Sequence, residues 1–407
     1  MSKQALSKLR VIEIGHALSA PFTAQLLGDF GAEIIKVERP AGGDLFRTVA
    51  APFPLDAKGN KLDSSGFLAA NRNKKSITVD ITKPAGQDVV RKLIQSADVV
   101  IENLKPGDLA RYALDYENVK KLNPGIVYLS ISGFGQTGPY AKRGGLDGVF
   151  QYMSGLCSIT GEPDGPPQRV GYLAADTTTG MYGAIGLMIA LYHRDAGHEG
   201  KGKEGQYIDL AMLEAMLATM NTKVEGYLIN GEVPMRAGAR LGSGPSEPVQ
   251  CSDGWLYVSA AMDSQFPNFC DAIDRKDLLQ DPRFASQQLR TDNLVVLMDI
   301  INEVFRKRAM RDWYEYLNTK GVLCAPVYTI AQALEDPHSK ARGVVAEVQH
   351  PTVGKLPMVH SPLRMSGTPA RHDMPPPLLG QHTDSILREV LGMKDADISA
   401  LRQAKAI

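Results

Sequence analysis

At 407 residues the chain is long for one hydrophobic core and predicts about two domains or one elaborate domain. Lysine plus arginine balance aspartate plus glutamate at 45 each, so no broad electrostatic footprint for nucleic acid or an anionic membrane is expected, and any anion site must be local. The four cysteines, Cys157, Cys251, Cys270 and Cys324, show neither CxxC nor CxH spacing, which argues against a metal centre and a disulfide framework and fits a reducing cytoplasm.

The opening MSKQALSKLR carries basic residues with no apolar run behind them, so neither a secretory signal nor an export anchor is expected. Strand-like LRVIEIG (9–15) is followed by an apolar-periodic helix over 20–30, strands in AEIIKVER and SITVDI, a helix over 84–96, and strands in ADVVIEN and GIVYLSISGF. Short β-branched runs separated by helices of ordinary length mark a parallel sheet in an α/β domain. Next comes DTTTGMYGAIGLMIALYHR, whose apolar stretch over 181–192 is the longest in the chain. It is far short of the roughly 20 residues that span a bilayer, so a soluble protein is expected.

A strand in GQYIDL leads into a helical pattern over 212–230, after which the texture changes. Residues 231–254 are rich in Gly, Pro, Ser and Arg, as in a domain boundary or an active-site loop. WLYVSAAM then reads as a strand and 265–334 as mostly helical. The expected division is a first domain over 1–225, a smaller one over 226–335 and a tail over 336–407. The tail is β-like at GVVAEVQHPTVGKLPMV, stiff and extended at PPPLLGQHT, and helical over 384–391; such a tail needs a surface to lie on.

Neither GxGxxG nor GxxxxGK[ST] follows the first strand, where GHALSAPF stands instead, so a dinucleotide or P-loop nucleotide loses its main support. No GxSxG elbow is present, and His193, His198, His350 and His360 lack ligand-like neighbours at i+3 or i+4, so no metal is expected. Basic residues gather near predicted strand ends: Lys36 and Arg39, Arg72, Lys74 and Lys75, Lys105 and Arg111, Lys142 and Arg143. They read either as solvated surface charge or as groups converging on a phosphorylated ligand beyond the carboxyl ends of the strands. Asp176, between small apolar residues and a helical run, has two readings as well. It, or a neighbouring threonine, caps the helix, or it is a carboxylate nucleophile toward an acyl group. Gly180, Gly183 and Gly186 behind it signal close helix packing.

Together the segments LGDFGAEIIKVERPAGGDLFR, NRNKKSITVDI, IENLKPGDLARYALDYENVKKLNPGIVYLSISGFGQTGPYAKRGGLD, DTTTGMYGAIGLMIALYHR, GQYIDLAMLEAM, HPTVGKL and PPPLLGQHT resemble the family III CoA-transferases. This is the CaiB/BaiF group, which includes formyl-CoA transferase and the α-methylacyl-CoA racemases. The resemblance implies an α/β fold with a Rossmann-like large domain formed by both chain ends, a smaller α+β domain between, and an interlocked homodimer of ring-like subunits. It implies Asp176, at the head of DTTTG, as nucleophile. Arg39, Lys74, Lys75, Asn103, Leu104 and Arg111 are implied as contacts to CoA, with Lys142 or Arg143 a looser candidate. CoA and acyl-CoA enter as substrates, and no permanently bound cofactor, metal or ATP is implied.

Within that group, racemases are marked by GHD where this chain has GGLD; Leu146 stands in the place of the histidine and cannot carry a proton. The resemblance therefore implies CoA transfer from a donor such as succinyl-CoA to a free acid through aspartyl mixed-anhydride and aspartyl-CoA thioester intermediates. Isomerisation at an acyl-CoA α-carbon, or a non-catalytic CoA-binding subunit in which Asp176 only caps a helix, are the alternatives. The segment GARLGSGPSEP takes the place of the glycine-only loop of formyl-CoA transferase. Arg240 within it and Arg236 just before it either pair with the distal carboxylate of a dicarboxylic acid or are plain surface charge.

Overall fold

Short apolar runs without a polar face are satisfied where both faces of a sheet are covered, and the computed structural model, which describes residues 4–49, 52–56, 58–196, 204–239 and 244–407, places the first six of them so. β1 (Arg10–Ile14), β2 (Glu33–Glu38), β3 (Lys74–Thr78), β4 (Val99–Glu102), β5 (Val127–Ser132) and β6 (Tyr207–Ala211) pair in parallel in the order β3-β2-β1-β4-β5-β6. This is the doubly wound Rossmann order, in which the winding reverses between β1 and β4. Alternate strand residues point to opposite faces. Ile12, Ile35, Val100 and Tyr128 meet Val90, Leu93 and Ile94 of the helix Pro84–Gln95 on one face. Val11, Ile34, Ile101 and Leu129 meet Ala20, Ala24, Leu187 and Leu191 on the other, from the helices Ser19–Gly28 and Ala174–Asp195.

Three charged residues interrupt these apolar rows. Lys36 Nζ lies 2.6 Å from Glu13 Oε1 and 2.8 Å from Asp44 Oδ2, and Lys74 Nζ lies 2.8 Å from Glu13 Oε2. Lys74 also donates to the Pro21 carbonyl and to Asn71 Oδ1, at 2.7 and 2.8 Å. Both lysines and Glu13 are fully buried, a placement tolerated because every charge is paired. Burial pushes Lys74 down to about 8. On Lys36 the same burial is outweighed by Asp44 and Glu13, which hold it above the ordinary lysine value.

The contacts divide the chain into two compact units: Met1–Leu156 with Arg169–Glu232 and Ala341–Ile407, and Cys157–Gln168 with Val233–Lys340. In the first, the tail finds its surface on its own chain. Arg371 N–H donates to the Asp29 carbonyl, Asn73 N–H to the Met374 carbonyl, His382 N–H to the Ser76 carbonyl, and Asp80 N–H to the Ala406 carbonyl. The edge of β3 is thereby covered, and the tail carries no argument about a second chain. The hairpin of β10 (Val345–His350) and β11 (Gly354–Val359) buries Val348, Leu356 and Met358 against Phe67 and Leu68.

The second unit is α+β. β7 (Ser246–Gln250), β8 (Trp255–Ser259) and β9 (Leu323–Pro326) form an antiparallel sheet in that order. Val249, Leu256 and Val258 of that sheet share a core with Phe269, Leu297, Ile301, Phe305 and Leu317 from the helices Phe266–Ala272, Leu294–Phe305 and Met310–Thr319. Two expectations are corrected. Residues 246–250, expected in a loop, are a strand because β8 supplies their partner, and 212–230 is two helices, Met212–Thr219 and Asn221–Asn230, that meet at Met220. Residues 265–334 are mostly helical and also hold β9. Among the described residues no helix is long and apolar enough to cross a membrane.

The glycines behind Asp176 differ in what they allow. A Cβ on Gly183 would stand 2.8 Å from Thr23 Oγ1 and one on Gly180 2.8 Å from the Phe22 ring, whereas nothing lies closer than 3.8 Å to one on Gly186. Gly183→Ala is therefore expected to lower stability by about 1–3 kcal/mol through overpacking. Gly186→Ala should be neutral or raise it by up to about 1 kcal/mol through helix propensity. Thermal or urea unfolding of the two variants side by side reads the difference, and equal effects would disprove this packing.

Candidate active site

The helix carrying Asp176 starts at Ala174, so Asp176 is its third residue and does not cap it, contrary to the capping reading. The cap comes from another helix. Asp147, first residue of the helix Asp147–Met153, accepts from the N–H groups of Ala175 at 2.8 Å and Asp176 at 3.2 Å through Oδ2. Its Oδ1 accepts from Gln151 Nε2 at 2.6 Å. Two donors that would otherwise be orphaned at the helix head are satisfied in this way. Gln151 also donates to the Tyr172 carbonyl and accepts from Val170 N–H, which ties the approach to the helix to the same frame.

The Asp176 carboxylate is thus not drawn into its own helix head. Burial pushes it up from the ordinary 3.8 to about 6, the charge of Asp147 adds to the rise, and the backbone N–H and hydroxyl of Ser19 restrain it. Neither Asp147 nor Ser19 was singled out by sequence reasoning. The signal for Asp147 was the aspartate of GGLD, a motif read only for its leucine; for Ser19 it lay in GHALSAPF, read only as a missing phosphate loop.

Ser19 is positioned by the point where the sheet reverses. Asn103, the residue after β4, accepts from His16 N–H at 2.9 Å and donates to the His16 carbonyl at 2.8 Å and to Ser19 Oγ at 3.3 Å. Ala17, between them, sits in the left-handed region at φ 63°, a conformation that costs about 1–2 kcal/mol for a residue with a Cβ. Its N–H is held at 2.9 Å by Asp44 Oδ1, the carboxylate that pairs with buried Lys36. His16 is lowered, chiefly by burial, with Lys36 and Arg39 adding to the effect against Asp44, and is neutral at pH 7.

Beyond the carboxyl ends of β1 to β4 lies a cleft of about 470 Å³, walled by Ile14, Val37, Val79 and Leu104 and edged by Arg39, Arg111 and Tyr112. Of the expected CoA contacts, Arg39, Leu104 and Arg111 line it, and Asn103 braces the loop beside it. Arg39 Nε donates to the Gly43 carbonyl at 3.1 Å, and Arg111 pairs with Asp108.

The other expected contacts stand elsewhere. Lys74 is enclosed in the sheet among Glu13, Pro21 and Asn71 and presents no charge to a ligand. Lys75 reaches 2.7 Å to Glu33, the first residue of β2, at the amino end of the strands and away from the cleft. Lys142 is exposed and Arg143 lies 3.7 Å over the Tyr140 ring; neither lines the cleft. Arg236, in the second unit, donates to the carbonyls of Glu162 and Pro163 at 3.2 and 3.4 Å, and Arg240 lies outside the described residues. Among the described residues no group of side chains is arranged to hold a metal ion.

The sequence profile of CoA-transferase family III matches residues 6–383. A succinate–glutarate CoA-transferase of Agrobacterium fabrum is 40% identical over 389 residues, covering 95% of this chain and 96% of its own. A succinyl-CoA–D-citramalate CoA-transferase of Chloroflexus aurantiacus is 35% identical over 404 residues, covering 99% and 98%. Among solved structures, a CaiB/BaiF family protein from Brucella suis superposes with a TM-score of 0.86 at 37% identity, covering 96% of this chain and all of that one.

The displaced acidity of Asp176 has a consequence of fixed sign. The folded chain keeps this proton up to about pH 6 while an ordinary aspartate loses it near 3.8, so the group's contribution to stability falls as pH rises through that window. Asp176→Asn is expected to be more stable than the parent above pH 6, by about 1–2 kcal/mol after discounting for partial exposure. The advantage should be largely gone near pH 4, close to the lower value. Thermal melts of both proteins at pH 4 and pH 8 test it, and a variant less stable at pH 8 would refute the assignment.

Proposed function

Because the chain belongs to CoA-transferase family III, we propose that it moves CoA from succinyl-CoA to a free short dicarboxylic acid, with Asp176 as the nucleophile. The observation that carries this reading is the carboxylate of Asp176, half-buried and relieved of capping its own helix by Asp147, with its neighbour Ser19 on the loop whose His16 lines the strand-end cleft that bears Arg39 and Arg111. The donor and acceptor are inferred from relatives whose names specify succinyl-CoA, glutarate and citramalate.

In the first step an Asp176 oxygen attacks the thioester carbonyl; the C–S bond breaks, CoA leaves as thiolate, and an aspartyl–succinyl anhydride forms. The thiolate then attacks the aspartyl γ-carbon, the anhydride C–O bond breaks, succinate departs, and an aspartyl-CoA thioester remains. The acceptor carboxylate displaces the thiolate from that thioester, and the thiolate finally takes the acceptor's acyl carbon, restoring Asp176. No proton is gained or lost along this sequence, so it needs no general base.

Raised basicity makes Asp176 a better nucleophile, and a value near 6 still leaves it mostly ionised at neutral pH. The N–H and hydroxyl of Ser19, which favour the charged form of Asp176, also favour the oxyanion formed when its γ-carbon becomes tetrahedral. The apolar walls of the cleft suit an adenine, with Arg39 and Arg111 at its edge for phosphates.

The rival readings lose their footing in particular residues. Leu146, 77% exposed, offers no second proton carrier for racemisation. A non-catalytic subunit in which Asp176 merely caps a helix conflicts with Asp147 holding that cap. None of the four cysteines is in a disulfide, which suits a reducing cytoplasm. We extend the proposal to the assembly: Met181, Ile185, Ile189 and Tyr192 form an exposed stripe at helical spacing along Ala174–Asp195. A second copy covering it, in the interlocked arrangement the resemblance implies, accounts for so large an apolar face.

Hydroxylamine added with succinyl-CoA should modify Asp176, and Asp176→Ala should lose at least about a thousandfold in turnover; modification elsewhere would refute the mechanism. The acid limb of kcat/KM should be centred near pH 6. Asp147→Asn, which keeps an oxygen for the helix head but removes the charge, should move that midpoint down toward the ordinary aspartate range, and an unmoved midpoint would show that Asp147 does not tune the nucleophile. For the assembly, sedimentation of the parent should give a dimer and Ile185→Lys should weaken it; a folded parent monomer at micromolar concentration would exclude the pairing.

A further inference from the structure

One arginine that sequence reasoning passed over shares the frame of Asp176. Arg169 lies seven residues before it, and its side chain crosses the residue after Asp147. A Cβ on Gly148 would stand 2.9 Å from Arg169 Nη1 and 3.6 Å from Cδ, so the bare glycine leaves the path that the guanidinium takes. Gln151 locks the pieces together: it accepts from Val170 N–H, next to Arg169, and donates to Asp147, which holds the N–H of Asp176. Across the two segments of this frame, 147–153 and 169–176, Arg169 is the one cation and Asp147 and Asp176 are the two carboxylates. Arg169 is exposed and has no ion-pair partner among the described residues.

A dicarboxylic acyl group brings a second negative charge toward these two carboxylates, and that repulsion must be offset by a cation held at some distance from the reacting carbonyl. A guanidinium fork matches a carboxylate in geometry as well as charge. Between the charges the substrate has methylenes, and Leu146, Tyr172 and Leu173 supply exposed apolar surface at the heads of the two helices that carry Asp147 and Asp176.

We propose that Arg169 is a specificity-determining residue that binds the distal carboxylate of the acyl group. This rests on the transferase reading above and moves the task away from Arg236, whose Nε and Nη2 are turned to backbone carbonyls. Donor and acceptor are served alike, because each acyl group in turn forms its anhydride with Asp176 and so passes through the same place.

The test is a competition in the full-length protein. Succinyl-CoA is offered against butyryl-CoA as donor, and glutarate against pentanoate as acceptor, with products read by mass spectrometry. Arg169→Gln should lower the dicarboxylate-to-monocarboxylate ratio of kcat/KM about ten- to a hundredfold on both sides, the scale of one charge-assisted contact. The values for butyryl-CoA and pentanoate should stay within about threefold of the parent's, and Arg169→Lys should recover part of the ratio by restoring the charge. An unchanged ratio, or equal losses on mono- and dicarboxylates, would overturn the role of Arg169 and leave the transferase reading standing. A parent that transfers CoA to no acid would overturn that reading, and the proposal with it.

Discussion

One carboxylate, Asp147, decides what Asp176 is free to do. By accepting the N–H groups of Ala175 and Asp176 it satisfies the helix head, a task that would otherwise draw Asp176 into capping. The same negative charge, after burial, raises the pKa of Asp176. A helix N-terminus favours an anion by about 0.3–1 kcal/mol. The rise from 3.8 to about 6 corresponds to about 3 kcal/mol in the opposite direction. Burial and like charge therefore win over the helix dipole, and the outcome is a basic carboxylate where position on the helix alone would give an acidic one.

The partner of Asp176, Ser19, depends on charges deeper in the sheet. Glu13 is shared between Lys36 and Lys74, and Lys36 in turn anchors Asp44, which holds Ala17 in its left-handed conformation. Removing one member of such a buried set strands another charge, at a cost of about 3–5 kcal/mol. The polar rows across β1, β2 and β3 are thus the foundation of the loop at the sheet's reversal point. Lysines that look in sequence like ligands for phosphate are spent on that foundation.

The distribution of charge around the site follows from this division. Arginines near the cleft, Arg39 and Arg111, remain at the rim because their long stems and always-charged heads tolerate no deep burial without partners. Lys74 can be buried because three oxygens reach its ammonium. The proposed anion binding and the stability of the fold therefore draw on neighbouring basic residues in the same strand-end motifs, and sequence spacing does not separate the two uses.

Much of the architecture was legible in the residues themselves. The β-branched runs of LRVIEIG, AEIIKVER, ADVVIEN and GIVYLSISGF announce a parallel sheet because period and composition are local properties, and the glycines at 180 and 183 announce close packing. The residues around Asp176 left it between cap and nucleophile, and the resemblance carried by DTTTG and the other motifs marked it as the nucleophile candidate. What tertiary structure alone decided were contacts between residues far apart in the chain: Asp147 as the cap for residues 175 and 176, Asn103 as the brace for His16 and Ser19, Lys74 turned into the sheet, the tail laid along β3, and Arg169 crossing Gly148. Each depends on which face of a strand or helix a side chain takes and on what the fold brings opposite it. A charge in sequence carries its sign but not its partner, and at this site the partner determines the function.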